Sequence, residues 1–314
     1  MTAPPTLDRS QQRRRSERAA TTYAAAAVAQ QEIGRRLLER FDFMRLTPKI
    51  IVDVGCGPGT HCDALAARYP ESMVVALDHS AAMIRQAVGR RDGASGKGWL
   101  RRLIGRDDRS PSAGPFGVVA DMHHLPVARE RCDVLWSNFA LQYSDDLPSL
   151  FAEWNRTLSI GGVLMFALPG PDTLRELRRA IDLAGDDATR RVRQFIDLHD
   201  IGDMLIDAGF ADPVMDMEVL TLEYASADAL WRDLKATGAT NVLSTRARGL
   251  TTPRRLRAFA AALDAGRAAG APIRVTIEVI YGHAWKLQRP KTREGFSVVR
   301  LEDIRRGPRR APPS

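Results

Sequence analysis

The chain has 314 residues, 44% of them hydrophobic, and a formal net charge of +8. That length suffices for one large domain carrying an insertion or lid, and no apolar run approaches the roughly 18 residues that a bilayer crossing needs. Cys56, Cys62 and Cys132 are the only cysteines and form no CxxC pair, which argues against a disulfide framework and a structural zinc site and fits a reducing cytoplasm.

Residues 1–20 are polar and arginine-rich without an apolar h-region, unlike a secretory signal. Such a start can mimic a mitochondrial transit peptide, but Asp8 and Glu17 oppose that reading. The basic excess, with a pI of about 9.8, gathers at Arg13–Arg15, at Arg101, Arg102, Arg106 and Arg109, and at Arg305, Arg306, Arg309 and Arg310. A charge of this sign suits an acidic partner, protein or nucleic acid, or simply a solvated surface. Expected bounds are a flexible basic lead over 1–16, a globular region over 17–286 and a basic disordered tail over 287–314.

In chain order, residues 17–45 read as one long helix. Residues 49–54 (KIIVDV) form a buried strand, Gly55 to Gly59 a glycine turn, and 62–69 a helix. A second strand covers 73–77, and Ser80 caps the next helix. Residues 89–117, rich in Gly, Arg, Ser and Pro, read as an inserted loop. Strands follow at 117–120, 132–137 and 163–167, with a helix over 147–158. Beyond Pro169 come helices at 172–184 and 199–208, strands at 213–224 and 274–285, and a helical stretch over 226–265. Alternation of this kind predicts an α/β, doubly wound, mostly parallel sheet, with an N-terminal helical lid and a helical substrate-side region over 172–270.

The main chemical signal is Asp53-Val54-Gly55-Cys56-Gly57-Pro58-Gly59, between a strand and a helix. Glycines let a ligand approach the main chain, and the helix beyond offers free N–H groups. The spacing is G-x-G-x-G with an acid two residues ahead, which suits a cationic ligand better than a phosphate. Asp78 ends the second strand, where a carboxylate accepts ribose hydroxyls. Asp121-Met122 follow the third strand and are placed to meet an adenine edge and face. Ser137-Asn138 follow the fourth, across the cleft. All lie at carboxyl ends of strands, where open α/β sheets bind ligands. Cys56 reads as a small residue packed in the loop.

These segments together resemble the class I S-adenosylmethionine (SAM)-dependent methyltransferases, which implies their Rossmann-like fold and SAM as cofactor. Flanking stretches narrow the resemblance to the malonyl-acyl-carrier-protein O-methyltransferases of biotin synthesis, the BioC family. The carriers are Arg18-Ala19-Ala20 with Tyr23 and Gln30, Ser137 to Gln142 (SNFALQ), Gly170 to Leu177 (GPDTLREL), Asp233-Leu234-Lys235 with Gly238, Ala239 and Asn241, and Tyr281 to Trp285 (YGHAW). They span about residues 8–286. Departures are the missing aromatic before Arg18, Ala24 where an acid is usual, Tyr143 where Trp is usual, and Ala167-Leu168-Pro169 before GPDTL. They fall near the expected acceptor cleft.

The resemblance implies esterification of a malonyl carboxylate on an acidic acyl-carrier protein in the cytoplasm. Such a carboxylate is already ionised at pH 7, so alignment and water exclusion matter more than a general base. Candidates for orienting the acceptor are Tyr23, Tyr281 and His283, with Arg246 as carboxylate clamp. Other acceptors stay open: RNA, a quinone-like small molecule, or protein arginine, since a related branch hydroxylates arginine in respiratory complex assembly. A non-enzymatic SAM-binding assembly role stays open too. DNA, a membrane and a metal are not expected, and His123 and His124 lack the spacing of a zinc site.

Overall fold

The computed structural model describes residues 6–92, 114–246, 249, 251–265, 267, 268 and 270–287. Most of the expected insertion (93–113) and nearly all of the expected tail (288–314), with the basic clusters each carries, lie outside the described residues.

The sheet has seven strands: β1 (Ile50–Val54), β2 (Met73–Asp78), β3 (Phe116–Val119), β4 (Cys132–Asn138), β5 (Leu158–Pro169), β6 (Ala211–Tyr224) and β7 (Ile273–Trp285). Their order is β3-β2-β1-β4-β5-β7-β6, and only β7 runs against its neighbours. The strand order reverses between β1 and β4, the switch point where such sheets open a crevice.

Alternation in the strands explains the two covered faces. Val52 and Val54 of β1 point to one side, where Leu150, Phe151 and Trp154 of a helix over Leu147–Thr157 pack with Ile201 and Leu205 of another over Leu198–Asp207. Ile51, Val134 and Trp136 point to the other, against Ile33, Leu37 and Phe41. The expected cap is present: Ser80 Oγ accepts from Met83 N at 3.2 Å, opening a helix over Ala81–Asp92.

The N-terminal region departs from expectation. In place of one helix over 17–45 there are three, α1 (Arg9–Ala19), α2 (Tyr23–Ala26) and α3 (Val28–Glu39), and then a 3-10 turn over Arg40–Phe43. The β-branched Thr22 breaks the run: its hydroxyl donates to Ala19 O at 3.2 Å and Ala236 O at 2.8 Å, bonds that compete with helix. The expectation of a flexible lead over 1–16 also needs correction for residues 6–16. Leu7 is buried and bridges Leu243, Asp8 caps α1 through Gln11 N, and Glu17 accepts from Ala81 N and Ala82 N. Glu17 thereby supplies the first turn of the Ala81–Asp92 helix with the acceptor its orphan amides require.

The stretch expected as helix over 226–265 is two helices, Ala227–Ala236 and Pro253–Asp264. Gly238, at φ +70°, ends the first. The chain then runs past Leu7: Asp8 N donates to Val242 O at 2.8 Å and Ser244 N to Thr6 O at 2.8 Å. The helix expected from 172 begins at Arg175, because Leu174 sits at φ +62°, outside helical backbone.

Candidate functional site

A cavity of about 1270 Å³ opens at the carboxyl ends of β1, β2 and β4. It exceeds the usual range of roughly 300–1000 Å³ for a single small-molecule site. One end is the glycine turn with Asp78, and the other is roofed by α1, α2 and residues 237–243.

At the first end the turn is fixed by contact. Gly55 N and Cys56 N donate to Leu77 O. A Cβ on Gly55, at φ +74°, would lie 2.3 Å from Ala140 Cβ, so neither shape nor backbone tolerates a side chain. Asp78 accepts from Gly57 N at 3.0 Å and Ser80 N at 2.8 Å, which anchors a carboxylate in the cavity wall; burial pushes its pKa up. Asp53 is buried beneath the turn and accepts from Cys62 Sγ at 3.3 Å. Burial, opposed by that bond and aided by Asp78, raises Asp53 to about 7. Two acids crowded at one end make it a cation-seeking pole.

Asp121 and Met122 line the same end. Burial pushes the Asp121 pKa up, but His123 outweighs it with bonds from N and Nδ1, both at 2.9 Å, and holds it low. Asn138 does not line the cavity. Its Nδ2 donates to Gln30 O at 2.8 Å, tying α3 to β4, and its Oδ1 is buried without a partner. Cys56 and Gly59 are likewise behind the wall, and Gly59 is packed against Ala87.

Tyr23 does reach the cavity. Its hydroxyl feels Tyr143, Asp78 and Asp53, and burial first, then these neighbours, hold the phenol protonated. The other three orienting candidates are not among the residues that line the cavity. Because β7 is antiparallel, its start, at Val275 and Ile277, meets the cavity. Tyr281 and His283 lie four and six residues on, roughly 13 and 20 Å farther down the strand. Tyr281 is buried with the Arg40 guanidinium 3.8 Å from its ring centroid. His283 shares that face, and burial, with Arg40, lowers its pKa. Arg246 is a strut: it donates to Leu243 O and, at 2.9 Å, to Asp8 Oδ2. Among the described residues no three His, Cys, Asp or Glu side chains gather to hold a metal, and no helix is long and apolar enough to cross a membrane.

Family models match in two places, a methyltransferase domain at residues 52–166 and an O-methyltransferase domain at 9–94. A malonyl-acyl-carrier-protein O-methyltransferase of Laribacter hongkongensis (strain HLHK9) is 43% identical over 275 residues, 87% of this chain and 88% of that one. The chain belongs to that family. A second member, from Gallionella capsiferriformans (strain ES-2), is 39% identical over 273 residues, 87% of this chain and 89% of its own. The solved YcgJ protein of Bacillus subtilis, 13% identical, shares the fold with a TM-score of 0.54 over 81% of this chain and 99% of that one.

This methyltransferase uses SAM, and the glycine turn fits it. Gly57 lines the cavity with only Tyr23 Cε1, at 3.8 Å, near the place of a Cβ, so main chain is open to a ligand. The held Asp78 carboxylate faces the same space. Sequence reading missed Arg15, Tyr143 and Arg193, which line the roofed end. Tyr143 drew notice only as a departure from the usual Trp. Arg15 was counted as bulk charge, because nothing local announced that α1 begins at Arg9. Two non-glycine residues with positive φ, Phe139 at 55° and Leu174 at 62°, also line the cavity; strained backbone of this kind costs on the order of 1–3 kcal/mol and collects at working sites.

Proposed function

We infer that this methyltransferase esterifies the free carboxylate of a malonyl group borne on an acyl-carrier protein, in the cytoplasm. The observation that carries the reading is a cavity with acids at one end and arginine at the other, large enough for cofactor and acceptor together. Its rim bears exposed Arg13, Arg18, Arg232 and Lys235, a basic lip suited to an acidic carrier.

When bound, SAM supplies an electrophilic methyl on a sulfonium. The chain's residues do the rest. Asp53 and Asp78 make the turn end favourable to positive charge. Asp121 and Met122 close the adenine side. Tyr23 reaches the cavity with its proton retained, as a donor that orients the acceptor oxygen. A proton acceptor is unnecessary, since the attacking carboxylate is ionised. With SAM bound there, an oxygen–methyl bond would form as the sulfur–methyl bond breaks, with both charges lost, and water exclusion by the roof would favour that exchange.

Intact-mass spectrometry of malonyl-carrier protein incubated with SAM and the enzyme tests this. A gain of one methylene mass, lost in Gly57→Ala and reduced in Tyr23→Phe, is expected. An unchanged mass with SAM still bound by calorimetry would remove the acceptor assignment.

A further inference from the structure

Arginines in the cavity wall fall into three kinds. Arg9 is paired with Asp121, Arg191 with Asp186, and Arg193 with Asp145. Most others are exposed at the rim. Arg15 is neither: it is half-buried, and among the described residues its guanidinium has no hydrogen bond or ion pair. A cation withdrawn from water without a partner is costly, and burial lowers its pKa. Tyr143 lines the same cavity within electrostatic reach of Arg15; its hydroxyl has no hydrogen-bond partner among the described residues, and burial keeps its phenol protonated despite Arg15 and Arg193. Arg193 is already neutralised by Asp145 and donates to Ser144 O at 2.6 Å. The roofed end thus carries one half-buried, unpaired guanidinium and one free hydroxyl donor.

We propose that Arg15 and the Tyr143 hydroxyl, backed by Arg193, form the seat for the acceptor's free carboxylate and select carboxyl-ended acyl groups over neutral ones. The seat deepens the acceptor reading above and rests on it for the identity of the acyl group. Tyr23 lines the same cavity, and its hydroxyl is within electrostatic reach of Tyr143, Asp78 and Asp53. The grip is also moderate. A pair of unneutralised arginines would stabilise the anion more than a transition state whose charge is fading, and the Asp145 partner removes that excess from Arg193.

The test is calorimetry with S-adenosylhomocysteine present, comparing malonyl-pantetheine with acetyl-pantetheine, alongside turnover on malonyl-carrier protein. The wild-type protein is expected to bind the malonyl form about tenfold more tightly, the scale of a charge-assisted bond. Arg15→Gln should abolish that preference, Arg15→Lys restore part of it, and Tyr143→Phe weaken it. S-adenosylhomocysteine affinity should hold in all three, showing an intact fold, and the exposed neighbour variant Arg14→Gln should behave as wild type. A preference that survives Arg15→Gln, or equal wild-type binding of both thioesters, overturns the seat whatever turnover shows. An Arg15-dependent preference in a protein that methylates no malonyl-carrier keeps the seat and removes the acceptor reading instead.

Discussion

The two ends of the cavity are built differently. The turn end is made by one short stretch, Asp53 to Gly59, braced by Asp78 twenty-odd residues on, and its shape follows from glycine backbone and strand order. The roofed end is assembled from chain segments more than two hundred residues apart: α1 meets residues 237–246 through Leu7–Leu243, Asp8–Val242 and Asp8–Arg246. Local construction gives the cofactor end rigidity, whereas the acceptor end depends on a clasp between distant pieces. Substitutions should separate the two.

The largest effect is expected at Gly55. Gly55→Ala places a Cβ 2.3 Å from Ala140 Cβ at a φ of +74°. SAM affinity by calorimetry should fall about 100-fold, with a stability loss of about 1–3 kcal/mol in urea melts. Gly161 is the control, since it too has positive φ, at +82°, but open space around it. Gly161→Ala should cost about 1 kcal/mol and leave SAM binding alone. Equal loss of binding in both would mean that strain, not the Ala140 contact, shapes the turn.

Next comes pH. Asp53 titrates at about 7 because it is buried. A nearby cationic ligand favours the ionised form, so SAM affinity should be flat above pH 7 and fall about tenfold per unit below it. Asp53→Asn should flatten the profile. Stability runs the other way: a carboxyl protonated in the fold and ionised when unfolded loses its contribution as pH rises from about 4 to 7. An unchanged SAM affinity from pH 5.5 to 8 would detach Asp53 from the cofactor pole.

The clasp should respond more weakly and only at its own end. Arg246→Ala breaks the ion pair with Asp8. Expected are a several-fold loss of kcat/KM for the acceptor, faster hydrogen exchange over 6–26, and unaltered SAM affinity. Asp8 is held at about 2, by its Gln11 and Ser10 bonds first and Arg246 after them. Its share of the clasp is therefore complete above about pH 4 and lost as pH falls toward 2. A matching loss of SAM affinity in Arg246→Ala would make the two ends one unit.

The same contrast explains what the sequence disclosed. The strand segments, the glycine turn, Asp78 and the Ser80 cap were legible because each is specified within a few residues by β-branched runs, glycines and a capping hydroxyl. Tyr23 was legible only through resemblance. Arg15, Tyr143 and Arg193 were not, because a cavity wall drawn from α1, the loop after β4 and a segment beyond residue 190 has no local signature. Tyr281 and His283 were read as site residues from the YGHAW resemblance together with their chemistry, and Arg246 from its chemistry. That reading lacked the direction of β7, which carries its aromatic and histidine away from the cavity, and lacked Asp8, which occupies the arginine.

Tyr281 offers the smallest and cleanest test of that lesson. Its hydroxyl is buried with no partner, while its ring is held under Arg40, which also pairs with Asp216. Were the hydroxyl part of acceptor orientation, Tyr281→Phe would cut turnover by about two orders of magnitude, as loss of a transition-state donor does. Placed where it is, removal deletes an unsatisfied polar atom and keeps the ring. Turnover should stay within about twofold, and stability should be unchanged or rise by up to about 1 kcal/mol. Tyr281→Ala, by contrast, empties a packed site beneath α3 and should cost about 3–5 kcal/mol, so instability of the alanine variant with normal activity of the phenylalanine variant is the pattern that assigns this residue to the core.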